Sequence, residues 1–386
     1  MNNFEFYCPT KVVFGKGTIA KLPELIDKSK KILITYGGGS IMRNGVYEQV
    51  KKVLEGYNVL EFGGIEPNPK YETLMKAVEI VKREGVDFLL AVGGGSTLDG
   101  TKFIAAASKY FGEKDAYDYF MVEQNPVFDA VPLADVITLP ATGSEMNCGG
   151  VISRISTDEK LAFSGTPLFP RFSVIDPQVT YTLPVRQTVN GIIDTFVHVM
   201  EQYCTYDVNS PLQDDWALGI LRTLIKEAPK VLANPEDYEA RANIFWCATC
   251  GLNYWISVGV PQDWATHMIG HELTAFYGID HGQSLAIVEP RLLRNQKVSK
   301  AKKLAKLARE VFCVNEPVDL KAADIAIDKI EAFFNSLGMK TKLSDYEIDA
   351  NEAAEKIRER FASRHTVLGE KGAINSDTAY DIVKAS

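Results

Sequence analysis

The first half of the chain alternates short, nearly continuous apolar runs with amphipathic stretches; the second half does not. Lys31–Tyr36 (KILITY), Asn58–Phe62 (NVLEF), Asp87–Val92 and Asp135–Leu139 read as buried strands. Tyr71–Glu84 places Leu74, Ala77, Val78 and Val81 on one helical face, and Leu98–Tyr110 reads as a helix of small residues. Apolar strands alternating with helices predict a parallel sheet covered on both faces. After Leu183 the alternation stops. Helices are expected near residues 185–204, 212–232, 236–258, 263–277, 285–313, 318–337 and 350–363, with Pro184 where a first helical turn tolerates proline. The fold class expected is an α/β N-terminal domain built on a parallel sheet, residues 1–182, followed by an all-α C-terminal domain, residues 183–386.

Composition narrows the class. A chain of 386 residues is long for one domain, and its 46% hydrophobic fraction is ordinary for a globular protein. The formal net charge of -8 argues against bulk attraction to nucleic acid or anionic lipid, so any phosphate-binding group must be local. No run approaches the roughly 20 apolar residues of a membrane span. The N-terminus (MNNFEFYCPTKVVFG) lacks a basic segment followed by an apolar one, so a cytoplasmic location is expected by default. Of the six cysteines, Cys247 and Cys250 form a C-x-x-C pair. No second pair completes a zinc site, and the surrounding apolar stretch reads them as two buried thiols.

Two glycine-rich turns follow strands. Gly93, Gly94, Gly95 and Ser96 end one strand and open the 98–110 helix. Backbone N–H groups there can approach a phosphate closely, and the helix N-terminus favours anions. The turn is not G-x-G-x-x-G, because Leu98 stands at the third glycine position. Gly37, Gly38, Gly39 and Ser40 form the other turn, and no Asp or Glu occurs from Gly37 to Tyr47. An acid near a strand tip bonds the ribose 2′-OH in many NAD sites. Its absence, with Ser40, the glycine amides and Arg43 present, predicts NADP(H) over NAD(H).

The five histidines all lie in the second half: His198, His267, His271, His281 and His365. Asp194 and His198 are four apart among apolar neighbours, so both sit on one face of a mostly buried helix. A buried carboxylate needs a partner, and a metal is a natural one. His267 and His271 share the same spacing, and His281 follows in a Gly-Ile-Asp-His-Gly turn. The protease pattern H-E-x-x-H fails here, because Ala275 stands where its second histidine belongs. An Asp and three His from two helices and a turn make a divalent-metal set that suits Zn2+ or Fe2+. His365 reads as a surface residue.

These segments together resemble the iron-containing, or group III, alcohol dehydrogenases, in their butanol-dehydrogenase and NADPH-dependent aldehyde-reductase branch. The resemblance runs over essentially the whole chain. It is carried by Phe14–Gly17, Leu33–Ser40 (LITYGGGS), Phe62–Pro69 (FGGIEPNP), Ala91–Asp99 (AVGGGSTLD), Thr138–Asn147 (TLPATGSEMN), Asp194–His198 (DTFVH) and Val260–His281. It implies a dinucleotide-binding N-terminal domain, a metal-binding helical domain and a substrate lying between them. By similarity Asp194, His198, His267 and His281 are the metal ligands, and His271 lies close by without ligating. Gly94, Gly95 and Ser96 hold the pyrophosphate with Asp99 nearby, and Thr138, Thr142 and Lys160 line the nicotinamide and ribose. Asn68, in the FGGIEPNP segment, is counted with the cofactor residues.

The reaction implied is hydride transfer between NADP(H) and a small primary alcohol or aldehyde such as butanol or butanal. One divalent ion, Fe2+ or Zn2+, polarises the substrate oxygen, and His271 is the candidate proton relay. A cytoplasmic homodimer, without nucleic-acid or membrane partners, is expected. Two alternatives share the architecture. An NAD-dependent polyol dehydrogenase of the glycerol type is disfavoured by the missing strand-tip acid and by FGGIEPNP. A dehydroquinate-synthase-like lyase needs basic residues for a substrate phosphate, and only Arg291 and Arg294 lie just beyond His281.

Overall fold

The computed structural model describes residues 1–386 and divides into two compact units. One comprises Tyr7–Pro184 with Pro235–Thr249; the other comprises Met1–Phe6, Val185–Asn234 and Cys250–Ser386.

The first unit is α/β. Its strands are β1 (Lys11–Phe14), β2 (Lys31–Tyr36), β3 (Asn58–Phe62), β4 (Phe88–Gly93), β5 (Leu133–Ile137), β6 (Gly149–Arg154), β7 (Glu159–Ser164) and β8 (Phe172–Ile175). Its helices are α1 (Leu22–Leu25), α2 (Ser40–Arg43), α3 (Val46–Val53), α4 (Tyr71–Glu84) and α5 (Gly95–Lys109). Six strands form one sheet in the order β3-β2-β4-β5-β8-β1, every pair parallel. Successive strand side chains point to opposite faces. Leu33, Leu89, Ala91, Leu133 and Ile137 therefore pack with α4 and α5. Their neighbours Ile32, Ile34, Leu90, Val92 and Val136 pack with residues of α1 and α3 on the other side. Burial on both faces is why these strands read as continuous apolar runs. Separately, β6 and β7 form an antiparallel hairpin.

The second unit contains α6 (Val185–Tyr203), α7 (Pro211–Ala233), the end of α8 (Tyr238–Gly251), α9 (Ala265–Tyr277), α10 (His281–Asn295), α11 (Lys297–Glu310), α12 (Asp319–Ser336), α13 (Ala350–Ser363) and α14 (Ser376–Lys384). No strand interrupts them; the nearest thing is a single bridge between Leu368 and Ile374. Thr188–Tyr203 of α6 is buried throughout, and α6, α9 and α10 are mutual neighbours. No helix is long and apolar enough to cross a membrane.

The expected fold class, a parallel α/β sheet followed by helices, is the one observed. Several details differ. Residues 235–249 group with the α/β unit, because Phe245 is buried in its core and Thr249 Oγ1 donates to Glu145 (2.5 Å). Met1–Phe6 groups with the helical unit, where Asn2 N donates to Gly259 O (2.9 Å). The single helix expected over 285–313 is two, separated at Gln296 (φ -93°, ψ 11°) with no glycine or proline to announce the break. The helix expected over 236–258 stops at Gly251, whose absent side chain leaves room for Thr195 and Val199 of α6. The 98–110 helix begins earlier, at Gly95.

Candidate active site

The α/β unit brings its glycine turns to one end of the sheet. Tyr36 of β2 pairs with Val92 of β4, so Gly37–Ser40 and Gly93–Ser96 leave adjacent strands at their carboxyl ends. The order reverses between these strands, since β3 lies outside β2 while β5 and β8 lie beyond β4. Such a reversal is where open parallel sheets bind ligands. Gly94 caps α5 in extended conformation, and Gly95 and Ser96 open the helix. Packing demands these glycines as much as any ligand does. A Cβ on Gly93 would lie 2.5 Å from Thr97 Oγ1, and one on Gly95 would lie 2.4 Å from Thr142 Oγ1. Thr138 N donates to Gly93 O (2.9 Å), which ties the tip of β5 to the same place.

Around this turn the TGSEMN segment is held by buried charge. Lys102 on α5 is fully buried, and its Nζ donates to Ser144 O and Oγ, Asn147 O and Oδ1, and Gly149 O at 2.7–3.0 Å. Burial pushes its pKa down to about 8 against the pull of Asp99. Asp99 accepts from Ser144 Oγ (2.7 Å) and Val151 N (3.0 Å), so both its oxygens brace protein. Lys160 is buried on β7, opposite Ser153. Asn68 takes a left-handed conformation (φ 54°) before Pro69, and Pro69 lies against Gly100 of α5.

In the helical unit, Asp194 and His198 occupy successive turns of α6, and His267 and His271 successive turns of α9. His281 is the first residue of α10, capped by Asp280 through a reciprocal box with Gln283. Asn190 Nδ2 of α6 donates to the Asp280 carboxylate (2.8 Å). Gly282 permits this approach, because a Cβ there would lie 2.8 Å from the Asn190 backbone. The outcome is that His198, His267 and His281 each place Nε2 3.5 Å from a single oxygen, Asp194 Oδ1. Asp194, His198 and His267 are buried, and His281 is partly open.

That distance tests the fit to a metal. It exceeds an N–H···O hydrogen bond, about 2.7–3.2 Å. It matches the edge, roughly 3.4 Å, of a tetrahedron with bonds of about 2.1 Å. The ligand atoms of Asp194, His267 and His281 lie within 4.8 Å of one another. One carboxylate and three imidazoles suit Zn2+ or Fe2+ equally. Burial opposes charge on His267, but the Glu201 and Asp194 carboxylates outweigh it and push its pKa up to about 9. His271 is buried beside the set, its ring 5.3 Å from His281 and 6.1 Å from His267. His365 is exposed, and Cys247 and Cys250 are buried and form no disulfide.

Residues 9–177 match the family described as iron-containing alcohol dehydrogenase, and residues 188–386 match the C-terminal part of the Fe-containing alcohol dehydrogenase family. The chain belongs to the iron-containing alcohol dehydrogenase family. It is 50% identical over 386 residues to the NADPH-dependent aldehyde reductase YqhD of Escherichia coli K12, covering 100% of both chains. It is 42% identical over 391 residues to a probable NADH-dependent butanol dehydrogenase 1 of Bacillus subtilis, again covering 100% of both. A crystal structure of E. coli K-12 YqhD superposes with a TM-score of 0.97 at 49% identity, covering 100% of this chain and 98% of that one. These matches place it in the butanol-dehydrogenase and aldehyde-reductase branch of the family, and make it an oxidoreductase of the alcohol dehydrogenase type. The lyase and polyol alternatives are thereby set aside.

Two residues, Lys102 and Glu201, escaped the sequence reading. Lys102 stands in an apolar, small-residue helix, which is a signal, since a lysine there must be either exposed or fully satisfied. Glu201 accepts from the backbone N–H groups of Thr266 (2.6 Å) and His267 (3.2 Å) and holds His267 Nδ1. Trp264 caps α9 with its ring 5.5 Å from His267 and 6.1 Å from His198.

Gly282→Ala tests how closely α10 must approach α6. The added methyl should displace His281, lower metal content after dialysis at least about tenfold, and cost about 1–3 kcal/mol in stability. Wild-type metal content and thermal midpoint would show that the approach does not matter.

Proposed function

We propose that the protein reduces small aldehydes with NADPH, and oxidises the matching primary alcohols in reverse, at a divalent metal held by Asp194, His198, His267 and His281. The observation that carries this reading is the three imidazole Nε2 atoms 3.5 Å from one carboxylate oxygen. A metal there supplies Lewis acidity, which stabilises negative charge on the substrate oxygen. NADPH supplies the hydride.

The chain's residues do the remaining work. The backbone amides of Gly94, Gly95 and Ser96, just past the carboxyl end of β4, bind the pyrophosphate, helped by the field of α5. Gly95 lets Thr142 approach, and Thr138 and Thr142 orient the nicotinamide and ribose side, with Lys160 buried behind Asp99. Asn68 belongs to the same group of cofactor residues. Ser40, Arg43 and the amides of Gly37–Gly39 offer donors to a 2′-phosphate. Glu61, on the strand beside β2, is tied up by Lys51 (2.5 Å) and Tyr47 (2.9 Å). NADPH dependence is also the property named for the aldehyde reductase that is half identical to this chain. His271, buried beside His281, passes a proton to the developing alkoxide during reduction. The protein is further taken to be cytoplasmic, and to be a homodimer because β1 ends the sheet and offers its outer edge for pairing.

Purified protein should contain about one Zn2+ or Fe2+ per chain and oxidise NADPH with butanal, the activity disappearing on chelation. Saturation at lower NADH than NADPH would reverse the cofactor assignment, and turnover unaffected by chelation would remove the metal from the mechanism. His271→Asn should keep its metal, lose about 10–100-fold in rate and lose one limb of the pH–rate profile. A wild-type rate and profile would end the relay role. Sedimentation should give twice the chain mass, and a monomer would exclude the dimer.

A further inference from the structure

We propose that Glu201 is a positioning residue that fixes the tautomer and orientation of His267 for the metal. This rests on the reading of Asp194, His198, His267 and His281 as the metal-holding set. Glu201 lies on α6, three residues beyond His198 and seven beyond Asp194, so the helix that carries those two residues also carries it on the same face. It is 5% exposed. One carboxylate oxygen, Oε1, accepts from Thr266 N (2.6 Å) and His267 N (3.2 Å), amides of the first turn of α9 with no partner inside that helix. The other, Oε2, holds His267 Nδ1. The backbone oxygen of Glu201 accepts from Asp263 N (2.9 Å), which fixes the chain entering α9.

An ionised carboxylate only accepts hydrogen bonds, so Nδ1 must donate. With a metal held at Nε2, the one remaining ring proton then sits on Nδ1, and Nε2, 3.5 Å from Asp194 Oδ1, is the nitrogen left for the metal. The opposite tautomer would set lone pair against lone pair at Oε2 and place a proton where the metal must bind. A carboxylate at a helix N-terminus is also favoured by the helix dipole. The surroundings hold the arrangement in place. Thr266 Oγ1 donates to the buried Glu289 (2.6 Å), and Lys300 Nζ donates to Asp263 Oδ2 (2.8 Å). Helix α6 thus supplies two ligands directly and dictates the presentation of a third from 66 residues away.

Glu201→Gln keeps the shape and the acceptor for the α9 amides but can turn its NH2 toward Nδ1, which favours the wrong tautomer. Wild-type, Glu201→Gln and Glu201→Asp proteins would be loaded with zinc, and its release to excess chelator timed. Histidine-selective 15N labelling, with five imidazoles to assign, reads the His267 tautomer. Glu201→Gln should release zinc about 10–100-fold faster with NADPH affinity unchanged, since groups that orient metal-ligating histidines carry that much. Glu201→Asp, which keeps the charge, should fall between. Zinc release at the wild-type rate from Glu201→Gln, with Nδ1 still protonated, overturns the positioning role alone. A wild type that takes up no zinc overturns the metal site and this inference with it.

Discussion

The helical unit converges on one of its buried carboxylates. Asp194 is 3% exposed on a helix whose neighbouring residues are buried as well. Removing a carboxylate from water costs several kcal/mol unless donors or a cation surround it. The unit meets this demand by converging nitrogen from three helices on one oxygen. Much of the local architecture follows from that convergence. His281 must begin α10 rather than lie within it, so Asp280 and Gln283 cap the helix there. Gly282 must lack a side chain because α6 passes directly against it. Apolar packing alone would tolerate small shifts of these helices, but donor atoms 3.5 Å from a common point would not.

The α/β unit faces the inverse problem with Lys102, a cation with no exposure at all. Its Nζ draws in five oxygens, every one from residues 144–149, so the charge and the loop specify each other. That loop follows Thr142, which packs against Gly95 at the start of α5. The glycine turn is therefore braced by packing within the protein itself. Pre-ordered donors bind an anion without first being ordered, which is the usual way a site gains affinity without new contacts.

Legibility from sequence followed the range of each interaction. Strands β2, β4 and β5 were readable because burial on both faces leaves an apolar run in the sequence, and β3, only partly buried at the sheet edge, still carries Val59, Leu60 and Phe62. Strand β1 has four residues and a half-exposed pattern, and the β6–β7 hairpin turns through Ile155–Asp158 without the glycine of a tight hairpin turn, so neither announced itself. The break at Gln296 falls between two good helical sequences and is imposed by packing. The histidine set was visible because i,i+4 spacing is local and buried His and Asp are costly. Glu201 was not, because a lone glutamate in a helix is usually solvated, and its partners lie 65 and 66 residues away. The segment 235–249 failed for the same reason: Phe245 and Thr249 find their partners in the first half of the chain.

The proposed choice of NADPH depends on less than either buried network. Lacking an acid between Gly37 and Tyr47, the turn does not repel a 2′-phosphate, but neither does it reject a cofactor that lacks one. Discrimination must come from what the phosphate gains, and the available donors, Ser40 and Arg43, are both exposed. Exposed ionic contacts are worth roughly 0.2–1 kcal/mol, and hydrogen bonds to a charged group about 1.5–3 kcal/mol. At about 1.4 kcal/mol per factor of ten, one contact of each kind gives a preference between roughly ten-fold and several hundred-fold, weakest at high salt. The packing of both units is fixed by buried charge, whereas the proposed nucleotide preference depends on two surface side chains and is the property most easily altered without disturbing the rest of the protein.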